Sequence, residues 1–247
     1  MKIIRFQESY GAKRNKRVSI SYLKMWVVIL VIIFLASSVI FFLFKKSWIA
    51  TLCIALIFFF YVWLNKDRKA IKAIIRATGV GVEGEEKVLM SLQKDLGDEY
   101  TYIQNYQAPN TYKGDIDGIL FGPKGLIILE VKTWHGRFKV ACGEIYKKIG
   151  YDVFKLYKNP FAQIKKQVDI LGGLLHSRPL SIRIKPLIVL VGGNIFQIKD
   201  KTGTYIIEDH KLLKFIEGLP NVASSVKRDD LFKALGVKEA GAMTIET

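Results

Sequence analysis

The chain has 247 residues, 38 Lys and Arg against 22 Asp and Glu for a net charge of +16, and half of its residues are hydrophobic. That apolar share excludes a disordered polyelectrolyte. Two cysteines, Cys53 and Cys142, exclude a disulfide framework or a cysteine-built zinc cluster within one chain.

In chain order, residues 1–25 read as a basic N-terminal segment. Residues 26–44 and 47–64 follow as two uncharged apolar runs, separated by Lys45 and Lys46. Each is long enough to cross a hydrocarbon core as a helix, since about 20 residues suffice. Neither carries the polar stripe of a helix packed in a soluble core, so a transmembrane hairpin is expected here. A cleaved signal peptide would have a shorter apolar stretch, about 7–15 residues. Seven Lys/Arg precede residue 26 and five follow within residues 65–77, a basic linker, against two in the turn. The positive-inside rule then puts both termini in the cytoplasm, on the inner face of a cell membrane. Residues 1–76 hold fourteen Lys/Arg against two Asp/Glu, so most of the basicity belongs to this segment and bears on lipid rather than on nucleic acid.

From residue 78 the pattern is that of an α/β domain, a mixed sheet with helices on its faces, over residues 78–197, with a C-terminal α/β extension and tail over 198–247. Apolar positions 88, 89, 92 and 96 predict a helix over about 83–96, with Glu85 turned to its buried face and Glu86 nearer solvent. Glu85 could complement the helix dipole there or reach a site as a third carboxylate. Strands are expected near 100–107, at 115–121, at 126–133 and near 137–147. Asn159 and Pro160 suit the N-cap and first turn of a helix over 160–176, which carries Gln163. A buried strand over 186–192 is expected to end in a turn at Gly192-Gly193. A short strand "TYIIE", helices at about 209–218 and 228–235, and a frayed tail close the chain.

The strands at 115–121 and 126–133 read as a hairpin about Gly122-Pro123-Lys124-Gly125. With Phe121 opposite Leu126, Asp117 falls opposite Glu130 and Asp115 opposite Lys132, all on one face. Two carboxylates so close repel unless a proton or a cation lies between them, and Mg²⁺ suits oxygen ligands. Lys132 then stands where it could order a water or steady developing charge. A salt bridge from Lys132 to Asp115, with Asp117 capping a turn, would account for the same residues.

The aspartate followed by Glu-x-Lys on an apolar strand resembles the PD-(D/E)xK nuclease signature. A fuller string resembles the NERD (nuclease-related) domain: Gly81-x-x-Gly84-Glu85, Asp115-Ile116-Asp117, Glu130-Val131-Lys132 with Trp134 and Gly136, and Asn159-Pro160-x-x-Gln163, across roughly residues 78–197. The position after the second aspartate, usually histidine in that family, is Gly118. The resemblance implies a restriction-endonuclease-like fold and divalent-metal-dependent (Mg²⁺ or Mn²⁺) cleavage of nucleic acid, DNA ahead of RNA. On that reading Asp117 and Glu130 hold the metal with the Val131 carbonyl, and Glu85 assists. Lys132 positions water and Gln163 orients water or substrate, while Asp115 either joins them or pairs with Lys132. Lys113, His135, Arg137 and Lys165 lie in a basic, aromatic-interleaved stretch and are the expected nucleic-acid contacts. The alternative is a non-catalytic, membrane-tethered module that binds nucleic acid or protein.

Overall fold

The computed structural model describes residues 1–5, 79–109, 115–177, 180, 182–199, 202–222, 226–237 and 243–244. Both apolar runs, the basic linker and Lys113 lie outside the described residues. Among the described residues no helix is long and apolar enough to cross a membrane. The chain divides into two units, residues 1–9 with 81–247, and residues 10–80. Of the second only residues 79 and 80, both helical, are described.

The first unit is one mixed sheet with helices on both faces. Its strands are β1 (Lys2–Arg5), β2 (Thr101–Tyr106), β3 (Ile116–Gly122), β4 (Gly125–Ala141), β5 (Glu144–Ile149), β6 (Asp152–Lys155), β7 (Ile184–Lys199), β8 (Tyr205–Glu208) and β9 (Met243–Thr244). The helices are α1 through residues 79–95, α2 (Pro160–His176), α3 (Leu212–Gly218, entered through a 3-10 turn at Asp209–Lys211) and α4 (Arg228–Leu235). β4 is the hub. One of its edges carries β7 in parallel along nearly its whole length, from Leu126 to Ala141. The other edge is shared: β3 pairs with its first part, as far as Gly118 opposite Leu129, and β5 with its last, from Arg137 opposite Lys148. Beyond β3 come β2, β1 and β9; beyond β7 comes β8.

Strand alternation splits the core in two. Ile119, Ile128 and Ile188 face α2 and α4, packing against Ile164, Leu171, Leu231 and Leu235. Leu120, Ile127, Leu129 and Val189 face the other way, against Val88, Leu89 and Leu92 of α1 and Leu212 and Ile216 of α3. The period-2 pattern of the strands and the 3.6-residue period of the helices thus meet in two apolar layers.

Several elements differ from the sequence expectation. The strands expected at 126–133 and 137–147 are one long β4 that ends at Ala141, followed by β5; Gly136, at φ +117°, sits in a bulge where a break was expected. β7 does not turn at Gly192-Gly193 but continues to Lys199, because Gly192 takes up φ +77° inside the strand. β6 was not foreseen. Two strands come from the chain ends. Lys2–Arg5 lies parallel to β2, with Ile3 and Ile4 buried, and residues 243 and 244 of the expected frayed tail pair with it.

Candidate active site on the open edge of β4

Between Glu130 and Gly136 the edge of β4 that β3 has left and β5 has not yet joined has no strand partner among the described residues. The expected register is observed, Phe121 opposite Leu126. Past the last paired position, Gly118 opposite Leu129, a side chain replaces the ladder: Asp117 Oδ2 accepts the Val131 N–H at 2.8 Å. This fixes the Asp117 carboxyl beside Glu130.

Glu130 is completely buried, and a buried carboxyl must be neutralised or well bonded. Lys132 donates to its Oε1 and Gln167 Nε2, from α2, donates to its Oε2 at 2.7 Å. Gln167 can do so because Pro160 and the Asn159 cap, whose side chain accepts the Phe161 N–H at 2.9 Å, set the phase of α2. Residues 161, 164, 167 and 171 therefore face the sheet, and Gln163 does not: it is exposed. Gln167 was missed although its signal was present, a polar residue at a position of the apolar stripe. Lys132 pairs with Glu130 on its own strand rather than with Asp115.

Glu85 arrives from α1. The helix comes close to β4 at Gly84, where an added Cβ would lie 2.0 Å from Thr133 Oγ1. Burial first, then the charges of Asp115 and Glu130, push the Glu85 carboxyl up to about 7. Asp117 is raised well above its usual range by burial and by Glu130, and Glu130 is raised by burial although Lys132 and Gln167 oppose the shift. Burial alone would lower Lys132, but Glu130 and Asp117 hold its ammonium above the ordinary value. Glu86 turns instead to Arg5 of β1, at 3.2 Å, and to Gln104. Tyr102, fully buried on β2, lies over Gly118, and its hydroxyl has no hydrogen-bond partner among the described residues.

Three raised acids, Glu85, Asp117 and Glu130, with the charge of Asp115 acting on two of them, thus gather around Lys132 among the described residues. Such an excess holds either protons or a cation. Among the described residues no three Asp, Glu, His or Cys side chains stand close enough to hold an ion by themselves. The neighbouring pair that could share an ion is two hard carboxylates, Asp117 and Glu130. That suits a divalent cation that keeps several of its waters.

Of the expected nucleic-acid contacts, His135 and Arg137 are exposed on β4, past the site, and Lys165 is exposed on α2. The His135 imidazole occupies the space over Gly192.

Compared with curated proteins and with solved structures, the chain gives no match. Residues 80–191, which contain Glu85, Asp115, Asp117, Glu130, Lys132 and Gln167, match the family model of the nuclease-related domain, NERD.

Proposed function

We propose that the chain is a membrane-anchored, divalent-metal-dependent nuclease that hydrolyses phosphodiesters of nucleic acid, DNA rather than RNA, at the cytoplasmic face. The observation that carries the reading is the crowd of raised-pKa carboxyls around Lys132 on an open strand edge, within the segment matched to the nuclease-related domain. A pure phosphate binder gains nothing by placing acids beside its ligand. The anchor reading rests on the two uncharged runs at 26–44 and 47–64.

Asp117 and Glu130, with the Val131 carbonyl, would hold Mg²⁺ or Mn²⁺. The bound ion would supply neutralisation of the phosphate and of charge developing on it. The remaining work falls to the chain. Gln167 holds Glu130, and Glu130 holds the Lys132 ammonium at the open edge, where it can orient a water and stabilise the oxygens of the phosphoryl group. Glu85, with a pKa near neutrality, is suited to accept the proton of the attacking water.

The test uses the full-length chain. Mg²⁺ and Mn²⁺ are titrated by calorimetry into wild type and Glu130→Ala, and the same samples are assayed on single-stranded DNA, double-stranded DNA and RNA. Metal binding and cleavage that both vanish in the variant are expected. Full cleavage by Glu130→Ala overturns the assignment. Absence of metal binding in wild type moves the reading to a tethered, non-catalytic binding module.

A further inference from the structure

The outer halves of β4 and β7, with β5 and β6, form a four-stranded arm in the order β6-β5-β4-β7; one of its faces packs Phe138, Val140 and Ile145 in the core shared with Phe161 of α2. Most exposed large apolar side chains of the described residues are on or beside it, Tyr151, Phe154, Tyr157 and Phe196 among them, so its surface is not that of an ordinary solvated sheet. One cluster on it is specific. Arg137 and Lys148 stand directly opposite each other on β4 and β5, a like-charge cross-strand pair that disfavours the sheet. Both lie against the ring of Phe196, the Arg137 guanidinium 5.3 Å and the Lys148 ammonium 5.9 Å from its centroid. Neither forms a salt bridge among the described residues; of the two arm carboxylates four residues from Lys148, Glu144 is taken by Lys155 and Tyr146, and Asp152 stands on β6 opposite Ile149.

We infer that this cluster is a platform for single-stranded nucleic acid, with phosphates on Arg137 and Lys148 and a base stacked on Phe196. The inference rests on the reading of the domain as one that acts on nucleic acid, and adds the form of the substrate and its path. Two cations without salt bridges among the described residues, beside one partly exposed ring, match a polyanion that also presents flat apolar faces. A duplex keeps its bases stacked on one another and leaves Phe196 with nothing to hold. Arg137 is five residues beyond Lys132 on the same strand, about 16 Å at the rise of an extended chain. Arg137 alternates with Phe138, which lies on the α2 face with Glu130, so a strand bound on the arm would round the open edge of β4 to reach Glu130 and Lys132.

The test is equilibrium binding of labelled oligonucleotides to the full-length chain in excess chelator, so that cleavage plays no part. Probes are a single strand of about 12 nucleotides, within the usual span of such platforms, its duplex, and anionic phospholipid vesicles. Wild type is compared with Phe196→Ala, Phe196→Trp and the double variant Arg137→Ala/Lys148→Ala, each checked for an unchanged melting temperature. Single strand should bind more tightly than duplex. Phe196→Ala should weaken it about tenfold while Phe196→Trp retains it. The double variant should lower the slope of log affinity against log salt by about 1.4. Equal binding of both forms, or single-strand binding indifferent to Phe196→Ala, overturns the platform. Loss of vesicle binding in the variants with oligonucleotide binding intact would assign the cluster to a membrane surface instead. Because metal is absent, this result stands or falls separately from cleavage and its dependence on Glu130.

Discussion

Glu85 is the residue whose environment makes the sharpest claim about solution behaviour. Its carboxyl moves from 4.5 to about 7, so the folded chain holds that proton more tightly than the unfolded chain does. The stability this contributes is complete below about pH 4.5 and is lost as pH rises through about 7, with an upper bound of about 3 kcal/mol. Asp117 and Glu130, also raised, act in the same direction. Metal-free protein should therefore unfold more readily in denaturant at pH 7.5 than at pH 5. Glu85→Gln, which fixes the neutral form, should flatten the profile, and a profile that rises from pH 5 to 7.5 would contradict the burial of these acids. Tyr102 makes a second claim. Its hydroxyl is buried without a partner among the described residues, a state that costs about 1–3 kcal/mol. Tyr102→Phe removes that group and keeps the ring over Gly118, so the melting temperature should hold or rise. A marked fall would mean that the hydroxyl is bonded in solution. Asp117, Glu130 and Lys132 were legible in the sequence because a hairpin register follows from its turn. Gln167 was legible too, as a polar residue in the apolar stripe of a helix whose start Asn159 and Pro160 fix; Tyr102 was not, because a cross-sheet ring position depends on packing against other elements.

At the scale of elements, the junction that matters is α1 on β4. Gly84 lets the helix approach until Thr133 Oγ1 occupies the place a Cβ would need, 2.0 Å away. Gly84→Ala must push the helix outward, and Glu85, the next residue, moves with it. Overpacking of this kind costs about 1–3 kcal/mol, and the shift should also weaken any metal-induced stabilisation. Thr133→Ala removes the colliding atom, so the double variant should recover most of the loss; a double-mutant cycle on melting temperatures measures that coupling. Additive losses would show that the helix is not seated there. The α2 boundaries were readable from Asn159 and Pro160, which terminate a helix by their own chemistry. The lengths of β4 and β7 were not. Gly136 and Gly192 have the positive φ of turn residues, yet the long parallel pairing of the two strands absorbs both as irregularities. Local propensity favours a break at each glycine, and the ladder on either side overrides it.

At the scale of the molecule, the folded unit is assembled from two separated stretches, residues 1–9 and 81–247. β1 lies between β2 and β9, and Ile3 and Ile4 are among the most buried side chains, one on each face of the sheet. A four-residue strand whose partner begins almost a hundred residues later leaves no local signature, and the basic charge around it suggests only a topogenic tail. The consequence is practical. A fragment starting at residue 77, the natural choice for isolating the domain from the apolar runs, lacks β1. It exposes the edge of β2 and loses the burial of two isoleucines, about 1.5–3 kcal/mol each, a large part of the stability of an ordinary domain. It also loses Arg5, the partner of Glu86. Residues 77–247 alone should therefore melt at a much lower temperature than a chain in which residues 1–9 are joined through a short flexible linker to residue 81. A synthetic peptide of residues 1–9 should restore part of the loss by adding a strand beside β2. Ile3→Ser/Ile4→Ser in the joined chain should reproduce the defect of the fragment. Equal melting temperatures for the fragment and the joined chain would show that β1 contributes little, and that the unit folds from residues 81–247 alone.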